Sequence, residues 1–282
     1  MIKYNPKVWF SLIFHSFRGE TFKMLIPVVL VIGAITTAIA FIELHYFPDL
    51  VGSTITIHSL LGIVLGLFLV FRTNTAYDRW WEGRKLWGAM VNNCRNMAIK
   101  FSVLDLSKEE KDHLALNISD YVYAMKEHLR DGVKLEELKN QSDIENADHI
   151  PNFVSRKIYT FLQKLYSDNR ISGEELLMLD KEIKALTDII GGCERIKNTP
   201  IPYSYSAYMK KFIFVYVLTL PLGIVPQFDY WSIPIVMTVF YFLVSIELIA
   251  EEIEDPFGRD ANDLPIDELC AKITSNTKSL LS

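Results

Sequence analysis

The chain has 282 residues, half of them hydrophobic, with 29 Lys and Arg against 34 Asp and Glu and a net charge of −5. That balance gives no ground for a nucleic-acid partner. Mean hydropathy lies only slightly above zero, which fits a soluble enzyme as well as a membrane protein with a large wet portion, so the distribution along the chain must decide.

Residues 5–20 carry Trp9, Phe10, Ile13, Phe14 and Phe17 at helical spacing among basic residues. Two readings are open: a helix lying along the inner leaflet, or one packed on the protein's own wet part. Residues 24–42 contain no Asp, Glu, Lys or Arg, and the same holds for residues 50–71, 212–228 and 230–246. As helices these runs reach roughly 25–33 Å, about one bilayer core. Four such runs predict four transmembrane helices. Only Asp229 separates the last two, which read as a hairpin with a kink at Pro221. Ala38-Ile39-Ala40 has the look of a signal cleavage site but follows too long an apolar run, so the first run is expected to be retained.

Lys3, Lys7, Arg18 and Lys23 precede the first run, and Arg72, Arg79, Arg84 and Lys85 follow the second. Lys210 and Lys211 precede the third, and Arg259 follows the fourth. The opposite connections, "ELHYFPDL" and "VPQFDYW", have neither Lys nor Arg. The positive-inside rule therefore places both termini and the central segment in the cytoplasm. Cys94, Cys193 and Cys270 fall on that reducing side, singly and without C-x-x-C spacing, so they read as free thiols rather than disulfides or a zinc site.

In the wet portion, Leu114, Ile118, Tyr121, Met125 and Leu129 form one helical stripe, and Leu176, Leu179, Ile183, Leu186 and Ile190 form another. Between them "DGVKLEELKNQSDIENADHIP" reads as a loop with a helical turn. No run alternates with period two. The fold is expected to be all-α, divided into an N-terminal helix (1–23), two membrane helices with the second continuing into the cytoplasm (24–100), a cytoplasmic helical region (101–211), a second membrane pair (212–250) and an acidic motif with a C-terminal tail (251–282).

The second span runs without a Gly or Pro stop into "FRTNTAYDRWWEGRKLWG". An Arg within a membrane helix costs a few kcal/mol, so Arg72 is expected to mark where lipid ends while the helix continues as a rod. Gly62 and Gly66 make a G-x-x-x-G that admits a close helix neighbour. His58, at the head of the helix, is expected to meet lipid headgroups. Ile63, Leu67 and Phe71 follow one another at turn spacing, continuing to Asn74 and Asp78. They either pack against neighbouring helices or line a pore. Four spans cannot enclose a conduit, so a pore requires a ring of subunits, in which this stripe would form stacked apolar collars that gate by dewetting.

Three segments, "FRTNTAYDRWWEGRKLWG", "GGCERIKNTPIPYSY" and "EDPFGRDANDLP", together resemble the bestrophin family in its bacterial form. The resemblance implies a homopentameric ion channel in the bacterial inner membrane, its neck made by three hydrophobic residues upstream of the Arg-Trp-Trp. Those positions are Ile63, Leu67 and Phe71, the stripe already found by periodicity. It also implies a cytoplasmic aperture ahead of the Gly-Cys-Glu region, for which Leu177 is the candidate. Animal members bind calcium in an acidic clasp, matched here by Glu252, Asp255, Asp260 and Asp263, all hard oxygen ligands, but diluted by Arg259, Ala261 and Asn262. No other cofactor is expected. The partners are lipid, further copies of the chain and permeant monovalent ions. One aromatic ring and two aliphatic side chains in the neck favour a cation such as sodium over an anion such as chloride. A non-conducting membrane scaffold or sensor is the alternative from another class. An enzyme is not expected, because His58 and the cysteines form no acid–base or nucleophile set.

Overall fold

The computed structural model describes residues 20–47, 55–130, 132, 138 and 148–282. The N-terminal helix expected over residues 5–20 and most of the loop before Ile150 lie outside them. Every element among the described residues is helical: α1 (Glu20–Tyr46), α2 (Ile55–Ser102), α3 (Lys108–His128), α4 (Ile150–Ser167), α5 (Gly173–Asn198), α6 (Tyr203–Phe228), α7 (Ser232–Glu254) and α8 (Ile266–Leu281), with a 3-10 turn at Asp229–Trp231. They fall into two compact units. One comprises Arg79–Thr199 and Asp255–Ser282; the other comprises Pro200–Glu254 and the described part of Ile2–Asp78.

In the first unit, local chemistry sets the helix starts. Ser107 and Glu110 form a reciprocal capping box at α3, and Ser172 and Glu175 repeat it at α5. Each box satisfies two backbone N–H groups that the first helical turn leaves orphaned. Both stripes read from the sequence turn inward: Leu114, Ile118, Tyr121, Met125 and Leu129 are buried, as are Leu179, Ile183, Leu186 and Ile190, with Leu176 packed at the edge. Each fully buried Leu or Ile contributes about 1.5–3 kcal/mol. Two further helices complete the core. In α4, Val154, Ile158, Leu162 and Leu165 are buried; in α8, Ile266, Cys270, Ile273 and Leu281 are buried, and α8 packs along α3. The C-terminal half of α2 supplies Trp87, Met90, Cys94, Met97 and Phe101 to the same core. All three cysteines are buried free thiols, and burial pushes Cys193 and Cys270 up to about 12, which keeps them protonated and unreactive.

The second unit contains three apolar stretches that qualify by length and composition to cross a membrane, Met24–Tyr46, Ile55–Ser102 and Tyr203–Glu254. The last is not one helix. Asp229 takes a φ of 46° at the end of α6, and beyond the 3-10 turn α7 packs back along α6. A left-handed residue cannot continue a right-handed helix, so the fold reverses there. Pro221 remains within α6. The core joins Ile32, Leu65, Leu69, Ile213, Val217, Leu220, Val236 and Phe240. Met24, Leu30, Val31, Phe214 and Phe242 are exposed on the outside. So much exposed apolar surface suits lipid rather than water as its surroundings.

Candidate functional site

The membrane half of α2 has two opposed faces. His58, Leu65, Leu69, Arg72 and Ala76 follow one another at helical spacing, and all are buried in the unit or along its edge. On the other side Ile63, Leu67 and Phe71 are 72%, 56% and 54% exposed, and Asn74 and Asp78 extend the same row. The candidate neck residues therefore form one continuous apolar strip that no other described helix of that unit covers.

The buried face departs from expectation at His58 and adds partners at Gly62 and Arg72. His58 does not reach toward headgroups: its Nε2 lies 3.2 Å from the Thr219 hydroxyl, inside the bundle. Gly62 meets the Tyr216 hydroxyl, which a Cβ would approach to 2.8 Å, whereas no described residue lies within 4 Å of where a Cβ on Gly66 would sit. Among the described residues only Gly62 of the G-x-x-x-G serves packing inside the subunit. Arg72 does not snorkel toward water. It is fully buried, with Nη2 2.8 Å from Glu254 Oε2 and Nε 3.5 Å from Glu247 Oε1. Two carboxylates on α7 take Nε and Nη2, while Nη1 has no hydrogen-bond partner among the described residues.

The three sequence segments named above meet in the other unit. Arg79 donates from Nη1 to the Thr199 carbonyl and from Nη2 to the Ile196 carbonyl, both at 2.5 Å. These carbonyls end α5, so the guanidinium closes the C-terminus of that helix where its dipole is negative. Trp80 Nε1 donates to the Asn262 carbonyl at 3.0 Å. Gly83 lies against Pro256 and Phe257, where a Cβ would come within 3.1 Å, and Gly192 lies against Leu86 at 3.0 Å. Glu82 and Arg195 form an ion pair on the surface. The Arg-Trp-Trp, Gly-Gly-Cys-Glu and Pro-Phe-Gly segments are therefore one packing node, in which side chains of α2 grip the end of α5 and the turn before α8.

Leu177, the candidate aperture residue, is 72% exposed on α5, away from the buried stripe. In the acidic segment Asp263 is buried, and its Oδ2 accepts a hydrogen bond from the Asp260 N–H at 2.6 Å. Gly258 is required there, since a Cβ would sit 2.7 Å from the same oxygen. Asp255 and Asp260 are exposed, and Glu252 belongs to the other unit. Arg130, Arg259, Asp260, Asp263 and Asp267 line a cavity of about 300 Å³. Arg130 donates to Asp267 at 2.8 and 3.1 Å, and that hydrogen bond draws the Asp267 carboxyl down to about 2.

The sequence matches the family described as Bacterial/Fungal Bestrophin protein over residues 1–279. The chain belongs to that family. Bestrophins are ion channels and not enzymes. Among its relatives, a voltage-dependent anion channel-forming protein of Nostoc is 36% identical, covering 98% of this chain and 92% of the relative. One of Synechocystis with the same name is 33% identical over 98% and 93%. The structure of a bacterial bestrophin homologue from Klebsiella pneumoniae superposes with a TM-score of 0.84 at 25% identity, covering 90% of this chain and 97% of that one. As an all-helical bestrophin, the chain is an integral membrane protein.

Proposed function

We propose that this bestrophin is a homopentameric channel whose neck is the strip Ile63, Leu67 and Phe71. The observation that carries the reading is the orientation of that strip: three large apolar side chains, one turn apart, face away from the subunit's own bundle. Five copies around an axis would turn it into three stacked collars, each narrow and unable to hydrogen-bond water. Such a constriction empties of water and blocks ions until it widens. Leu177, exposed among polar neighbours, supplies the cytoplasmic aperture. The hairpin at Asp229 supports counting four spans, and the Lys and Arg distribution puts both termini on the cytoplasmic side of the inner membrane.

The acidic segment is not part of the proposed mechanism. Calcium takes six to eight oxygens. Here Asp263 turns a carboxylate oxygen onto its own turn, and Arg130 and Arg259 line the same cavity. We read Asp255, Asp260 and Asp263 as structural, and Glu252 as part of the end of α7.

The names of the two relatives support an anion such as chloride as the permeant ion, and they give sodium no support. We place the anion first. The cation reading rests on one feature, a neck with a single aromatic ring at Phe71 and hence few positive ring edges for a passing anion. A reversal potential recorded from purified protein in planar bilayers under a NaCl gradient tests both. A value near the chloride equilibrium potential is expected, and one near that of sodium reverses the sign. Absence of current under every gradient would leave a non-conducting scaffold.

A further inference from the structure

Two histidines outside the motifs described so far converge on the glutamate of the Gly-Gly-Cys-Glu segment, in the unit of Arg79–Thr199 and Asp255–Ser282. His128 is the last residue of α3, His149 caps the start of α4, and Glu194 sits near the end of α5. His128 Nε2 and His149 Nε2 each lie 2.7 Å from Glu194 Oε1, and the two rings are 4.5 Å apart. The three candidate ligand atoms all fall within 4.8 Å of one another. All three side chains are a little under one-third exposed, so the cluster is held by the fold yet open to solvent.

We propose that His128, His149 and Glu194 form a divalent transition-metal site with zinc as its preferred ion. Two imidazole nitrogens and one carboxylate oxygen are a donor set that zinc accepts, leaving a fourth position for water. Calcium and magnesium require oxygen ligands throughout and a larger number of them. The geometry is close to what zinc needs. Bonds of about 2.0–2.1 Å at tetrahedral angles place ligand atoms about 3.3 Å apart. The carboxylate oxygen has to withdraw from each nitrogen by about half an ångström, and the two imidazole nitrogens, within 4.8 Å of one another, have to settle at about 3.3 Å, movements that side-chain rotation supplies. A bound ion would tie the ends of α3 and α4 to α5.

One detail gives the site a signature. The Asn152 N–H donates to His149 Nδ1 at 3.1 Å, so His149 now carries its proton on Nε2, toward Glu194. Ligation at Nε2 moves the proton to Nδ1, where it faces the Asn152 N–H. Zinc therefore exchanges the side-chain cap of α4 for a metal bond, and the first turn of α4 loses an acceptor as the site fills.

Tag-free full-length protein in detergent, titrated with zinc by calorimetry, is expected to take up one ion per chain saturably. Calcium at the same concentrations is expected to leave that binding unchanged. His128→Gln and Glu194→Gln keep a hydrogen-bonding group but lose the ligand, and each is expected to weaken zinc binding by about tenfold or more. His149→Asn, which retains a capping side chain, gives a third variant should either of the others fail to elute as the parent oligomer. Amide exchange at Asn152 and Phe153 is expected to rise on zinc addition. No saturable uptake by the parent protein, or equal affinity in folded variants, would overturn the site.

Discussion

Arg72 Nη2 lies 2.8 Å from Glu254 Oε2, and Glu254 Oε1 accepts the Ile201 N–H at 2.7 Å. One carboxylate thus holds both a buried guanidinium on α2 and the backbone just before α6. Removing the arginine leaves the buried Glu247 and the half-buried Glu254 without their cation. Arg72→Met is expected to lower stability by about 3–5 kcal/mol, read as a lower unfolding temperature in detergent. Adding Glu247→Gln and Glu254→Gln to that variant should recover part of the loss, because no charge is then stranded. An unfolding temperature equal to the parent's would mean that the group contributes nothing net.

Arg79 addresses two carbonyls with one planar fork. Arg79→Ala should destabilise the first unit by about 1.5–3 kcal/mol, the range for hydrogen bonds to a charged group. Arg79→Lys should recover only part, since an ammonium has no fixed fork. Amide exchange over the last turn of α5 is the direct readout, and unchanged protection there in Arg79→Ala would contradict the capping role.

Arg170 clamps Glu110 through two bonds of 2.5 and 2.9 Å, and that contact draws the Glu110 carboxyl from near 4.5 down to about 2. A carboxyl lowered by folding stabilises the folded state above its unfolded pKa and loses that stabilisation as pH falls through the folded value. The gap in unfolding temperature between the parent and Arg170→Gln should therefore be constant above about pH 4.5 and close between about pH 4.5 and 2. A gap that persists unchanged to the acid end would show that the contact acts through packing instead of charge.

Legibility in the sequence followed the strength of periodic signals. The stripes headed by Leu114 and Leu176 were readable because one apolar face repeats over several turns. The exposed strip was readable because Ile63, Leu67 and Phe71 recur at turn spacing in a helix without a break. The helix α4 was missed although Val154, Ile158, Leu162 and Leu165 carry a full stripe, because the polar run before it invited a reading as loop. Partner choice was not legible. Nothing local shows that Arg72 turns inward to Glu247 and Glu254, 175 and 182 positions further along, or that His58 bonds to Thr219. The same holds for His128, His149 and Glu194, which no fixed spacing connects and only the packing of three helix ends assembles.

Leu65 is buried and Leu67 exposed on one helix, so the pair tests packing against the proposed permeation role. Leu65 is fully buried in the membrane core, so Leu65→Ala should lower stability by about 2–5 kcal/mol without raising current. Oligomer size by light scattering, five chains, should hold in both variants, and a stable monomer in the parent would exclude a shared pore.

The most direct measurement is macroscopic current per reconstituted channel for Leu67→Ala beside the parent and Leu65→Ala. Leu67 belongs to the exposed strip, and in the proposed ring its truncation would remove apolar carbons from every subunit of the middle collar at once. Water should then fill the neck more readily, so the account predicts a larger current for Leu67→Ala at unchanged oligomer stability. Equal currents in all three proteins, or a loss of oligomer stability in Leu67→Ala with no gain in current, would contradict it.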